Sequence, residues 1–372
     1  MKKKLLFITG TRADYGKIKS VIRKTINERF DVKIFVTGMH LSKKFGETFH
    51  EIKKNFKKNT IFKFKNFKND DSQDIVLANT IYGFSKFLKK FNPDMVIVHG
   101  DRTESLACAI SASFNNILVT HIEGGEISGN IDEHIRHSIS KLSHIHLVSN
   151  QIARARLLKM GELKKNVFVV GSPDIDIMSS KKLPALIEVK KRYGFTVESY
   201  GIVILHPVTS EIEKIKKQAD IFVKSLVKSN NNFIVILPNN DPGNEIIINS
   251  YKKINSNNKF KIIKSMRFEY FLTLLKNCDV IIGNSSCGVI EAPFYGIQTI
   301  NLGNRQNNRS KEKSIINIGF SEEKILNNLK KYLGKKYKKS RLYGNGNADT
   351  KIIKILKNKR IWLTQTQKTL SD

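Results

Sequence analysis

The sequence predicts an α/β protein made of two Rossmann-like domains in tandem, with an interdomain cleft for a ligand. Short β-rich apolar runs alternate with helical periodicity, which is the pattern of βαβ units and a parallel sheet. The runs fall into two series, and most end on Gly, Ser or Thr, as strands do where a parallel sheet presents its carboxyl edge to a ligand. At 372 residues and 40% hydrophobic content the chain has enough apolar material for two cores of ordinary size.

The first series reads LLFIT (5–9), VKIFVTG (32–38), MVIVHG (95–100), NILVTHIEGG (116–125), IHLVS (145–149) and VFVVGSP (167–173). The second reads YGIVILHPV (200–208), NFIVILPNND (232–241), KFKIIKS (259–265), CDVIIGNSS (278–286) and QTINLGN (298–304). The boundary is expected between 172 and 186, around Ser179, Ser180, Lys181, Lys182 and Pro184. This gives domains over 1–175 and 176–350, with 351–372 as a helix packing back on the body and Trp362 as a packing residue. The basic opening MKKKLLFITG has an apolar run too short for a signal peptide or a membrane span, and reads as the first strand. Cys108, Cys278 and Cys287 are few, odd in number and without metal-ligand spacing, so neither a disulfide framework nor structural zinc is expected. A cytoplasmic protein is the reading.

The formal charge of +32 invites a nucleic-acid or membrane-surface role, but the lysines are scattered and lack an RNP-like or helix-turn-helix context. A solvated surface explains them. Against that background residues 101–133 stand out, because they hold Asp101, Glu104, Glu123, Glu126, Asp132 and Glu133 against a single Arg102. Neighbouring carboxylates shift one another's pKa values, which suits general acid and base work. Asp132 with Arg136, and Glu133 with His137, have the spacing of helical i,i+4 pairs. His121, His134 and His137 could join the acids as metal ligands, yet no HExxH or comparable spacing is present, and no metal is expected.

Two further motifs suit an anion. Gly10-Thr11-Arg12-Ala13-Asp14-Tyr15-Gly16 is a turn entering a helix, where Arg12 adds a bidentate donor, although the spacing of a dinucleotide fingerprint is absent. Gly283-Asn284-Ser285-Ser286 offers N–H groups and hydroxyls to a phosphate ahead of Glu291, and His206-Pro207-Val208-Thr209 follows a strand of the same series. An ordinary Ser N-cap is the plainer alternative for Gly283-Asn284-Ser285-Ser286, and a tight βα turn for Gly10–Gly16.

Taken together, GTRADYGKIK, VTGMHLSKKFG, HGDR, HIEGGEISG, DEHIRHSISKLSHIHLV, GSPD, LHPVT, PNND, RFEYF, GNSSCGVIEAP and NRQNNR resemble the hydrolysing UDP-N-acetylglucosamine 2-epimerases of bacterial sialic acid synthesis, the NeuC type. The resemblance runs in order from residue 1 to about 310. It implies a GT-B fold with the sugar nucleotide in the interdomain cleft, and GTRAD in place of GTRPE favours the hydrolysing branch. It implies elimination of UDP to a glucal, then hydration to N-acetylmannosamine, with Asp101, Glu123 and Asp132 as the catalytic carboxylates. Arg12, His206, Ser285 and Ser286 would hold the diphosphate, with Phe268 and Glu291 at uracil and ribose. Glu126, Arg136, His137 and Arg267 complete the expected substrate contacts. A UDP-sugar substrate, no metal or nicotinamide cofactor, no nucleic-acid or membrane partner and a homo-oligomer are expected. Two readings stay open beside this one, a 2,4-diacetamido-6-deoxy sugar nucleotide of the legionaminic acid route as substrate, and a GT-B glycosyltransferase.

Overall fold

The computed structural model describes residues 2–43, 46–68, 71–128, 131–180, 182–239 and 241–369. Lys44 and Phe45 of VTGMHLSKKFG, Gly129 of HIEGGEISG, Asn240 of PNND, Lys181 of the expected boundary and the last three positions of 351–372 lie outside them. The chain divides into two compact units, one of residues 1–126, 131–179 and 342–372, the other of 127–130 and 180–341.

The first unit holds one parallel seven-stranded sheet. Its strands are β1 (Lys4–Thr9), β2 (Asp31–Val36), β3 (Ile61–Lys63), β4 (Met95–His99), β5 (Leu118–Ile122), β6 (Ile145–Val148) and β7 (Val167–Val169), in the order β3-β2-β1-β4-β5-β6-β7. The strands read as apolar runs because both faces of the sheet are covered. Leu5 and Phe7 point into a core with Tyr15, Ile18, Ile34 and Ile97, while Leu6 and Ile8 point into another with Phe35, Phe84, Val96 and Val119. Each such side chain taken from water stabilises by roughly 1.5–3 kcal/mol.

The second unit repeats the plan with β8 (Gly201–Ile204), β9 (Phe233–Ile236), β10 (Phe260–Ile263), β11 (Val280–Gly283), β12 (Thr299–Leu302) and β13 (Ile315–Ile318), in the order β10-β9-β8-β11-β12-β13. Val203, Phe233, Val235, Val280, Ile282 and Ile300 form its main core on one face. Every strand that the apolar runs predict is present. β3 and β13 add an edge strand to each sheet, and both are short, partly exposed and set among lysines or asparagines, so they lack a buried run's signature.

The first unit extends past the expected change at 175/176, because the helix Pro173–Met178 packs on the helices Arg12–Asn27 and Ala348–Lys357. Residues 342–350 belong with it as well. Asp176 accepts the Ala348 and Asp349 N–H groups at 2.8 and 2.6 Å, capping the start of that last helix. Burial, followed by Asp349, pushes the Asp176 carboxyl up to about 6. Ile352, Leu356 and Ile361 join the first unit's core, and Trp362 packs against it, donating Nε1–H to Leu356 O at 2.9 Å.

Candidate active site

In each unit the strand order reverses direction beside its first strand, at β1 and β4 in one and at β8 and β11 in the other. Parallel sheets bind ligands outside the carboxyl ends of strands at such a switch point. Gly10-Thr11-Arg12 follows β1 and Gly100-Asp101-Arg102 follows β4; Leu205-His206 follows β8 and Asn284-Ser285-Ser286 follows β11. Four motifs picked out by residue chemistry therefore stand where the topology places ligands.

After β1, Thr11 caps the helix Arg12–Asn27 in a capping box with Asp14. The Asp14 carboxylate accepts Gly10 N–H at 3.0 Å and Thr11 N–H at 3.1 Å, and also bonds Thr9 Oγ1. Burial raises its pKa against those hydrogen bonds. The turn is built by Asp14, which leaves Arg12 on its outer side, with Nε 3.4 Å from Glu51.

Glu123 follows β5 in the left-handed region, at φ +65, a conformation that costs a non-glycine residue about 1–2 kcal/mol and recurs at active sites. The two glycines behind it make the turn possible. A Cβ on Gly124 would fall 2.8 Å from His121 Nδ1, and one on Gly125, itself at φ +75, 2.4 Å from Ala153 O. The Glu123 carboxylate accepts the Ser172 hydroxyl and lies 3.0 Å from His99 Nε2 and 3.8 Å from Lys17 Nζ. Lys17 also pairs with the fully buried Asp174 at 2.6 Å. Burial works to raise the Glu123 pKa, but Lys17, then His99 and Ser172, hold it well below the usual carboxylate range. Glu123 is ionised across the physiological range.

Asp101 is bonded by the guanidinium of Arg136, which is 4% exposed and stands one helical turn beyond Asp132 on Ile131–Leu142. The sequence spacing suggested Arg136 as a helical partner for Asp132; the structure brings the Arg136 guanidinium to Asp101 at the end of β4. Glu133 and His137 do pair along the helix, at 3.4 Å. His121 is fully buried, with Nδ1 3.1 Å from Ser140 Oγ and Nε2 2.7 Å from Gly100 O, and burial lowers its pKa to about 3. It steadies the Gly100 peptide and is spent on that work. Glu126 is 5% exposed and takes Ser149 Oγ–H and Asn150 Nδ2–H, so its carboxylate serves the start of the helix Gln151–Lys159. Among the described residues no group of three or more His, Cys, Asp or Glu side chains could hold a metal ion.

In the second unit the anchor is Asn284, at 1% exposure, which the sequence did not single out by itself. Its amide brackets the His206 backbone, accepting His206 N–H at 2.7 Å and donating to His206 O at 2.8 Å. Gly283 before it has φ +139, and a Cβ there would sit 1.9 Å from Ile204 O, so the two strand ends meet at a distance only glycine allows. His206 Nδ1 accepts Asn239 N–H at 3.2 Å. Burial, then Arg305, lowers its pKa to about 3. A neutral ring with Nδ1 occupied as acceptor carries its proton on Nε2, a donor available to an anion. Arg305 and Gln306 donate to Asn284 O at 3.2 and 2.9 Å. Ser285 and Ser286 are half-buried, Ser286 opening a 3₁₀ turn, and Glu291, 4% exposed, begins the helix Glu291–Tyr295. Arg267 and Phe268, also half-buried, follow β10 at the start of the helix Phe268–Lys276, two strands from the switch point.

Two parallel-sheet α/β units with loops of this kind define a GT-B-like fold. The structure matches that of the Methanocaldococcus jannaschii UDP-GlcNAc 2-epimerase solved with UDP-GlcNAc and UDP, at TM-score 0.81 and 24% identity, covering 95% of this chain and 99% of that one. The family model described as UDP-N-acetylglucosamine 2-epimerase matches residues 24–357, and the chain belongs to that family. It is 42% identical to a UDP-N-acetylglucosamine 2-epimerase of Neisseria meningitidis serogroup B, over 100% of this chain and 99% of that protein. It is 36% identical to a UDP-N,N'-diacetylbacillosamine 2-epimerase (hydrolyzing) of Legionella pneumophila, over 96% of each.

Proposed function

We propose that this chain is a hydrolysing 2-epimerase that converts UDP-N-acetylglucosamine and water to UDP and N-acetylmannosamine, a product suited to sialic acid synthesis. The observation that carries the reading is the chemistry at the strand ends of each unit, with the ion-paired carboxylates Asp101 and Glu123 after β4 and β5 in the first and a neutral donor histidine beside two serines in the second. The second unit would hold the diphosphate through His206 Nε2–H, Ser285 and Ser286, with Arg12 of the first unit as an added cation. Phe268 and Glu291 would face the nucleoside, and Arg267 and His137 would complete the substrate contacts.

The reaction takes the proton from C2, breaks the C1–oxygen bond to UDP and forms a C1=C2 double bond. Water then adds its hydroxyl to C1 and a proton to the opposite face of C2. A carboxylate held far below its usual pKa is a poor proton acceptor, so Glu123 acts as a fixed negative charge that stabilises positive charge growing at C1. The two proton transfers fall to Asp101 and Asp132, with Arg136 fixing the first of these. No step calls on a metal or a nicotinamide.

Incubation with UDP-N-acetylglucosamine and no acceptor tests the reading. Free UDP with free N-acetylmannosamine supports it, whereas a requirement for an acceptor sugar makes the chain a glycosyltransferase. The 36% likeness to the diacetamido-sugar enzyme favours a second substrate, UDP-N,N'-diacetylbacillosamine. A kcat/KM at least tenfold higher on that nucleotide decides for it.

A further inference from the structure

The helix Ile131–Leu142 brings Asp132, Arg136 and His137 to the carboxyl edge of the first sheet, and its other end is closed by chain more than 200 residues away. His144 Nδ1 accepts Val119 N–H at 3.0 Å, so the neutral ring carries its proton on Nε2 and donates it to Thr366 O at 2.9 Å. Two residues further, the Lys368 ammonium donates to Ser140 O at 3.0 Å and to Ser143 O at 2.7 Å. Ser140 O already accepts Ser143 N–H at 3.1 Å, so Lys368 takes its second lone pair, and a cation there also meets the negative end of the helix dipole. Lys368 completes its set at Glu162 Oε2, 2.6 Å away, and Glu162 is 2% exposed and 2.8 Å from His146 Nε2. A stretch without helix or strand thus supplies a part-buried backbone contact, two cation contacts to one helix end and a third to Glu162.

Ser140 connects that end to the carboxylates. Its carbonyl takes Lys368, and its hydroxyl lies 3.1 Å from His121, whose Nε2 is 2.7 Å from Gly100 O, the peptide that precedes Asp101. One turn before Ser140, Arg136 pairs with Asp101. We infer that the segment 364–369 is a tether and Lys368 a positioning residue, which together fix the seat of the helix Ile131–Leu142 and so hold Arg136 and Asp132 in register with Asp101. The inference rests on the reading of those carboxylates as the reacting groups. A tether of this kind acts on the chemical step and leaves nucleotide affinity alone.

Lys368→Met, Lys368→Arg and Lys141→Met in the full chain test it. Lys141 also faces Glu162, at 3.2 Å, but its ammonium donates to Met160 O, so it keeps Glu162 compensated in Lys368→Met and serves as the control. Lys368→Met is expected to lower kcat about tenfold with KM within about twofold, Lys368→Arg to recover at least half, and Lys141→Met to change neither. Hydrogen exchange gives a readout without substrate, with Lys368→Met raising exchange in peptides covering 131–144 and 97–103, and Lys141→Met in neither. A Lys368→Met protein that matches the parent in kcat, or that exchanges faster only over 131–144, overturns the inference. So does an equal loss through kcat and KM that arginine does not rescue, since that marks simple destabilisation. If the parent turns over no sugar nucleotide, the proposed reaction fails while exchange over 97–103 still decides the tether.

Discussion

Replacing Glu123 by glutamine removes the charge at the centre of the first unit's buried network. Breaking a buried ion pair from one side costs about 3–5 kcal/mol, because the partner is left uncompensated. Two features reduce that figure here. Lys17 keeps Asp174 at 2.6 Å, and the glutamine oxygen still accepts the Ser172 hydroxyl. The remaining loss, chiefly at His99 and in the weaker Lys17 contact, is about 1–3 kcal/mol. For a unit of this size that lowers Tm by about 3–10 °C. Thermal unfolding of parent and Glu123→Gln across pH provides the assay. The folded carboxyl lies well below its ordinary value of 4.5, so its stabilisation is full above pH 4.5 and is lost as pH falls through the folded value. The Tm gap is therefore widest from about pH 5 to 8 and closes on further acidification. Equal Tm values at neutral pH, or a gap that widens in acid, would refute the network and the ionised state argued from it.

Asp101→Asn and Asp132→Asn should each lower turnover by about 10²–10⁴-fold, since a general acid or base is lost, while UDP affinity by calorimetry stays within about threefold. His206, with its pKa lowered to about 3, should show no ring titration between pH 5 and 8 by NMR, and a midpoint above 5 would contradict the neutral donor assigned to it. Gly283→Ala forces a Cβ to 1.9 Å from Ile204 O at φ +139, so the second unit should lose about 3 kcal/mol or more in urea unfolding, with UDP binding weakened alongside.

The sheets were legible because buried parallel strands are short apolar runs with small residues at their ends, and Leu5, Phe7, Val96 and Ile282 needed no partner information to be placed inside. The edges β3 and β13 were hidden for the converse reason, since a strand such as IFK, none of whose residues is buried, carries no run to detect. Asp101 and Glu123 stood out as acids at strand ends in a basic chain. Their partners did not, because Ser172 and Lys17 are far from Glu123 in sequence, and nothing local to Arg136 says that it reaches Asp101 at the end of β4. Glu126 shows the limit of charge as a guide, for its carboxylate is used by Ser149 and Asn150. Asn284 and Lys368 look ordinary as letters, and only the topology that sets Asn284 beside His206 and Lys368 beneath Ser140 gives them work.

Proton NMR of the purified protein with UDP-N-acetylglucosamine in deuterated water tests elimination followed by hydration most directly. UDP released together with N-acetylmannosamine carrying deuterium at C2 is the predicted result, because the C2 proton leaves to a carboxylate and is replaced by a deuteron that comes from solvent. Protium retained at C2 in the released sugar, or an epimerised sugar still attached to UDP, would contradict the account.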